Sequence, residues 1–254
     1  MKKGFLAVMV VALLTSCAVR INGNSSNVLP AESATAAVKA AEEAVAKGFT
    51  GIEINGGFDV YYTEGKTPGI KLKGNSESIR HTIVKNENNV LSISVAKGMG
   101  NLTSDECDVD IYVTAPSLSD VAVKGSGDFI SNGEINAKRF TVCVTGSGDI
   151  DLSKVISSSM NVDVVGSGDV NVGYMTARSA EFSIAGSGDV DVKNIKADNM
   201  TASIAGSGDV NMERVDIQNA SCTIAGSGDI VLKGHIGKVD KSVAGSGTVT
   251  VNRE

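Results

Sequence analysis

The 254-residue chain has no tryptophan, 4% aromatic residues, three prolines and two histidines. With so few aromatics, its core must be aliphatic, and an apolar fraction of 42% is enough to build one. Scarce proline beside 29 glycines points to a turn-rich β protein rather than a disordered chain. An excess of positive charge is also missing. The formal net charge is −6, and no basic stripe with interleaved aromatics occurs, which argues against a nucleic-acid partner. There is no Cys-x-x-Cys, and His81 and His235 stand far from the cysteines in sequence, so no zinc site is expected. The apolar run Phe5 to Leu14 is too short to span a bilayer as a stable helix.

That run instead reads as the core of a targeting signal. Lys2 and Lys3 precede it, and Leu14-Thr15-Ser16-Cys17 follows it. The order of charged residues, apolar run, small residues and cysteine resembles a bacterial lipobox. The resemblance implies lipidation of Cys17 and removal of residues 1–16. Three cysteines then remain, Cys107, Cys143 and Cys222, an odd number that cannot all pair within one chain. Cys222 falls at an apolar repeat position and reads as a small core residue.

What the sequence has in abundance is one phrase. Gly-Ser-Gly-Asp starts at Gly125, Gly146, Gly166, Gly186, Gly206 and Gly226, and Gly-Ser-Gly-Thr starts at Gly245. The steps are 21, 20, 20, 20, 20 and 19 residues, a period that marks a solenoid. Apolar residues recur in register with it. Four positions after the first Gly stand Phe129, Ile150, Val170, Val190, Val210, Ile230 and Val249. Two positions before each next Gly stand Val144, Val164, Ile184, Ile204, Ile224 and Val243. Further columns pass through Leu152 and Val172, through Val155 and Met175, and through Met160 and Ala180. Alternation within short strands stacks these residues inside a tube, with coils about 4.8 Å apart. About seven inward side chains cannot offset the entropy of ordering a 20-residue coil, so coils must share their ladders and core with neighbours. Every repeat runs the same way, which makes the sheets parallel and the crossover right-handed. In the last coil Lys241 and Thr248 break the pattern near Lys233, Lys238 and Arg253, as expected of a terminal edge that must not stack further.

Ahead of the repeats the pattern changes. Residues 18–30 are polar and read as a tether. Residues 31–47 are helix formers with Val38, Ala41 and Val45 at helical spacing, ended by Gly48; they fit a spacer as well as a docked helix. From residue 49 the period becomes two. Asn55-Gly56-Gly57 between two alternating stretches predicts a β-hairpin. Strands are expected around Ile70–Lys73, Val90–Val95 and Val109–Val113, with 98–106 as a polar loop. This region should cap the first coil. The expected organisation is therefore a signal peptide at 1–16, lipidated Cys17 with a tether or helix to 47, an N-terminal β region at 48–124, and a right-handed parallel β-helix at 125–254, all-β in class.

The candidate ligand row is Asp149, Asp169, Asp189, Asp209 and Asp229, preceded by Asp128. Stacked carboxylates about 5 Å apart repel by roughly 1 kcal/mol even in a water-like dielectric. Two readings offset this. Each Asp can accept backbone N–H groups of its own turn, or calcium can bridge coils, as in β-rolls with a Gly-Gly-x-Gly-x-Asp repeat. Asp151, Asn171, Asp191 and Asn211 stand beside the row. Catalysis is not expected. Arg139, Arg178 and Arg214 fall at different repeat offsets, and Tyr174 is the sole tyrosine of the repeats. His81 and His235 read as surface residues, and the repeat Ser as a turn residue without a base partner.

Phe49-Thr50-Gly51-Ile52, then Pro116-Ser117-Leu118, then tandem Gly-Ser-Gly-Asp-[Val/Ile] behind a lipoprotein signal resembles the auto-transporter adhesin family known by its head GIN domain. The resemblance covers about residues 48–254. It implies a right-handed parallel β-helix on the cell envelope of diderm bacteria and carries no catalytic residues. The expected function is a non-enzymatic lipoprotein held in the envelope, on the outer membrane, by its N-terminal lipid. It would act as an adhesin or scaffold with an envelope protein or glycan as ligand. The alternative is a polysaccharide-binding or polysaccharide-cleaving β-helix.

Overall fold

The alternating apolar residues of each repeat enter one interior, and the corners between them set the shape of every coil. The computed structural model describes residues 30–96 and 109–253. In chain order the elements are α1 (Ala34–Ala46), β1 (Gly51–Gly56), β2 (Asp59–Glu64), β3 (Gly69–Gly74), α2 (Ser76–His81), β4 (Thr82–Glu87), β5 (Val90–Val95), β6 (Val109–Ala115) and β7 (Asp120–Gly125). The repeats follow as β8 (Phe129–Gly146), β9 (Ile150–Gly166), β10 (Val170–Gly186), β11 (Val190–Gly206), β12 (Val210–Gly226), β13 (Ile230–Gly245) and β14 (Val249–Asn252). The signal peptide, Cys17, the tether up to residue 29, Cys107 and the expected loop at 98–106 lie outside the described residues.

Each of β8 to β13 is one coil, and neighbouring coils pair in parallel. Between β10 and β11 the pairing comes in three runs: Val170–Val172 with Val190–Val192, Met175–Ala177 with Ile195–Ala197, and Ser179–Gly186 with Asn199–Gly206. A coil therefore has three faces, here the first, second and third. Its inward side chains in β11 are Val190, Val192, Ile195, Ala197, Met200, Ala202 and Ile204, all buried. The molecule is the expected parallel β-solenoid of about 20 residues per turn.

Gly-Ser-Gly-Asp turns the chain from the third face of one coil to the first face of the next. Gly186 has φ +144°, which excludes most side chains, and a Cβ there would lie 2.1 Å from the Gly166 carbonyl oxygen. A Cβ on Gly188 would lie 2.1 Å from the Gly168 carbonyl oxygen. Both glycines thus let one corner rest directly on the corner before it. The contact is hydrogen-bonded: Ser187 and Gly188 donate their N–H groups to the Gly166 carbonyl, at 2.8 and 3.2 Å.

Asn55-Gly56-Gly57 does not close a hairpin. β1 lies parallel between β5 and β7, and β2 lies parallel between β6 and β8. Gly56, at φ +127°, turns the chain between two faces of a coil, and its carbonyl accepts the N–H groups of Ser126 and Gly127. The solenoid's corner geometry therefore extends back to β1 and β2, ahead of the first Gly-Ser-Gly-Asp. Spatial order also departs from chain order, since β1 and β2 insert between elements that follow them in sequence.

The expected cap is present, with parts the sequence pattern did not announce. β4 runs antiparallel on β5, and β3 antiparallel on β6. Asn88 and Asn89, at φ 53° and 64°, make the tight turn between β4 and β5. The short helix α2 is capped by Asn75, whose side chain accepts the Ser78 N–H at 2.8 Å. α1 is docked rather than a spacer. Ser33 caps it, and it buries Ala37, Ala41, Ala44 and Val45 against α2, β3 and β4. Val38 is only partly buried, so the helix is rotated from the face its spacing suggested.

At the other end Lys241 faces Cys222 of the preceding coil and donates to the Val249 carbonyl at 2.7 Å. Val243 is 44% exposed, because no further coil covers it. The charged terminal coil expected from the sequence is there.

Candidate ligand-binding surfaces

The Asp row is half-buried at the corners, and its carboxylates bond between coils rather than within their own turn. Asp149 donates its N–H to Asp128 Oδ1, and the pattern continues through Asp169, Asp189, Asp209 and Asp229 at 2.7–2.9 Å. Thr248 closes it, donating both its N–H (2.7 Å) and its hydroxyl (2.9 Å) to Asp229 Oδ1. The own-turn expectation fails because Ser and Gly of each corner already donate to the preceding coil's Gly carbonyl. The row's nearest available donor is the next coil's Asp N–H. Burial, with neighbouring carboxylates adding, raises Asp189 above the usual carboxylate range, and Asp128 likewise. Among the described residues no three His, Cys, Asp or Glu side chains converge as a metal set.

Asp151, Asn171 and Asp191 stand exposed, and Asn211 half-buried, in one outward column of the first face. Toward the cap this column continues through Ile130 to Tyr61 and Tyr112, whose rings stack with centroids 5.0 Å apart. The pair joins residues of β2 and β6, so no local pattern announces it. Each ring covers one face of the other, and Tyr112 remains 38% exposed.

The second face carries a groove of about 570 Å³. Its floor follows a column of small residues, Ser157, Ala177 and Ala197, where the next coils have Ile217 and Ile236. One wall is the outward column Thr176, Lys196, Asp216 and His235. The other is the corner column Ser158, Arg178, Asp198 and Gln218. Lys196 pairs with Asp216 at 3.1 Å, and Gln218 reaches Asp198 at 3.5 Å. A second hollow of about 400 Å³ continues the same columns toward the cap, lined by Asn136, Ala137, Lys138 and Arg139 among others. Arg139, Arg178 and Arg214 occupy separate columns as expected. However, Lys138 falls in the column of Arg178, one position before the paired row Arg139, Ser159 and Ser179. The sequence signal for this site was the Ala/Ser column itself, which reads equally well as small core residues.

His235 is exposed as expected, whereas His81 is buried. Its Nε2 lies 2.9 Å from Glu77, whose carboxyl is held below its usual range by hydrogen bonds from Arg80 and from His81. The helix α2, which brings the three together, is six residues long and carries too little periodic pattern to be read locally. Cys143 is disulfide-bonded, and Cys222 is a free buried thiol, pushed up to about 11 by burial, as befits a core residue.

The solenoid geometry recurs in solved structures. A "putative adhesin" from Bacteroides fragilis aligns with a TM-score of 0.71 and 23% identity over 82% of this chain and 94% of that one. A "putative lipid binding protein" from Parabacteroides distasonis aligns at 0.65 and 22% identity, over 80% and 92% of the two chains. A "putative adhesin" from Parabacteroides merdae aligns at 0.63 and 22%, again over 80% and 92%. At these identities the likeness concerns the fold. No curated protein matches the chain. The model of one family does, over residues 48–213 and 180–253. Its two segments span the corner-forming β1 and β2 as well as the repeats, and the chain belongs to that family, described as "Putative auto-transporter adhesin, head GIN domain".

Proposed function

We propose that the protein is a non-enzymatic envelope lipoprotein, lipidated at Cys17 and held on the outer membrane, that presents its solenoid as an adhesive or scaffolding rod. The observation that carries this reading is the single core running from α1 to the last coil, with every corner hydrogen-bonded to the next. A rod built this way offers the same outward columns at about 4.8 Å intervals. Weak contacts repeated along such a surface add up without an enclosed site. Membership in an adhesin family supports placement at the cell surface or envelope. Protease added to intact cells should remove the protein, and Cys17→Ala should release it from the membrane fraction. Protection from protease in intact cells, with digestion after lysis, would refute surface presentation.

The inter-coil bonds of the Asp row support a structural role over calcium binding. Each Asp from Asp128 to Asp229 already engages Oδ1 with the following coil. Calorimetric titration with calcium should give no saturable heat up to millimolar concentration. Saturable heat lost in Asp189→Asn would reverse the assignment.

A further inference from the structure

We infer that the open end of the last coil docks onto an anionic lipid bilayer. This goes beyond the adhesive reading, which supplies only the setting; the surface is argued from its own residues. In β13 the inward positions Val239 and Val243 lie opposite Ala220 and Ile224 of the coil before. In β14 Val249 and Val251 lie opposite Ile230 and Leu232. On their other side no coil follows among the described residues, and β14 covers only the first face of β13. The core therefore meets solvent at this end. Val243 is 44% exposed, and Val239, Val249 and Val251 are half-buried, whereas their counterparts in the coil before are buried.

Cations frame this apolar end. Lys241 stands at an inward position, opposite Cys222, and crosses the end to donate to the Val249 carbonyl. Arg253 reaches across to donate to the Gly237 carbonyl at 3.3 Å. Both meet carbonyls rather than carboxylates, and neither forms an ion pair among the described residues. The carboxylate of Asp240 is already paired with Lys238 at 2.7 Å. Residues 230–253 hold four basic side chains and one acidic, whereas residues 125–229 hold seven basic and fourteen acidic. The rod is thus acidic along its repeats and basic at its tip. Coils more than two below the tip lie beyond about 10 Å, one screening length, so their carboxylates scarcely oppose an anionic surface that meets the end.

An apolar patch framed by Lys and Arg fits the headgroup region of an anionic bilayer, where the valines leave water and each cation near the surface adds attraction. A second copy of the chain fits poorly, since it would bring the same cations to the contact. A soluble polyanion would use the charge and leave the valines in water. The cap, with α1 packed on α2, β3 and β4, lies at the opposite end of the stack, so the docking end points away from it.

The test is cosedimentation of the mature chain, residues 17–254, carrying Cys17→Ala so that no lipid anchors it. The probe is vesicles of mixed phosphatidylglycerol and phosphatidylcholine, with vesicles of phosphatidylcholine alone as control. The chain should bind the mixed vesicles, bind the neutral ones at least about tenfold more weakly, and bind less as salt is raised. Lys241→Gln and Arg253→Gln should each weaken binding about fivefold, and Val243→Asp more than either. Lys39→Gln, exposed on α1 in the cap, should leave it unchanged. Circular dichroism on each variant separates lost binding from lost fold. Equal binding to neutral and mixed vesicles, no binding to the mixed ones, or unchanged binding in folded Lys241→Gln and Arg253→Gln variants would each overturn the inference. Saturable binding of polyglutamate in calorimetry, without vesicle binding, would overturn it in favour of an acidic protein partner. The failures are distinguishable. A protein exposed on cells that ignores the vesicles leaves the adhesin reading standing. One that binds them but is shielded from protease leaves only the docking end.

Discussion

The cap and the repeats build the same corner from different residues. In the repeats Gly127, Gly148 and their successors sit where a Cβ would strike the backbone of the coil before. In the first corner Phe58 lies beneath Gly127, and a Cβ on Gly127 would come within 2.3 Å of the Phe58 carbonyl oxygen. Phe58 itself is buried at 1% exposure and helps fill the start of the core. The comparison teaches that glycine is demanded by the backbone of the corner below it, whatever residue stands there, and not by the turn alone. Where the stack begins, a large side chain does the opposite work and closes the interior.

The sharpest way to break that comparison is to add a Cβ on each side of it. Gly188→Val should destabilise the array by more than about 3 kcal/mol, since the Gly168 carbonyl is fixed backbone and cannot yield. Gly57→Ala in the cap meets only Ser126 Oγ at 3.4 Å and should change stability by less than about 1 kcal/mol. Urea denaturation midpoints check both, and a loss below about 1 kcal/mol in Gly188→Val would show that the stacked corner does not require glycine there.

A smaller effect tests the bonds at the same corner. Asp189→Ala leaves the Asp209 N–H without its acceptor and should cost about 1–3 kcal/mol. Asp189→Asn keeps an acceptor oxygen and should cost less. The cap offers a contrast, because the hydrogen-bonded Asp row begins at Asp128 and Asp59→Ala should have little effect.

The smallest effect is in pH. Burial raises Asp128 and Asp189 in the folded state above the usual carboxylate value of 3.8. The folded state therefore binds protons more readily than the unfolded one at these sites. Their contribution to stability is present in acid and lost as pH rises through the raised values. Moving from neutral pH toward the usual carboxylate range should thus add stability from the row. Melting temperatures of wild type and of Asp189→Asn across that range check this, with a smaller acid gain expected in the variant.

Periodicity made the array legible: the buried columns through Val190, Ile195, Met200 and Ile204 follow from alternation and a 20-residue step alone. Asn55-Gly56-Gly57 misled because a glycine pair between alternating stretches looks the same whether the chain doubles back or turns a coil corner. α2 was invisible because six residues carry too little helical pattern. The groove on the second face was hidden because its walls, the columns through Thr176 and Arg178, meet only when coils stack.

By itself the sequence determined that this chain coils, in which sense its strands run, and which side chains enter the core. Those properties repeat, and each copy restates the same local constraint. Tertiary structure alone decided that β1 and β2 insert between later elements, that the Asp carboxylates reach the next coil, and that Lys138 shares an edge with Arg178. These depend on which backbone group or side chain lies one coil away, and that neighbour is set by stacking rather than by adjacency along the chain.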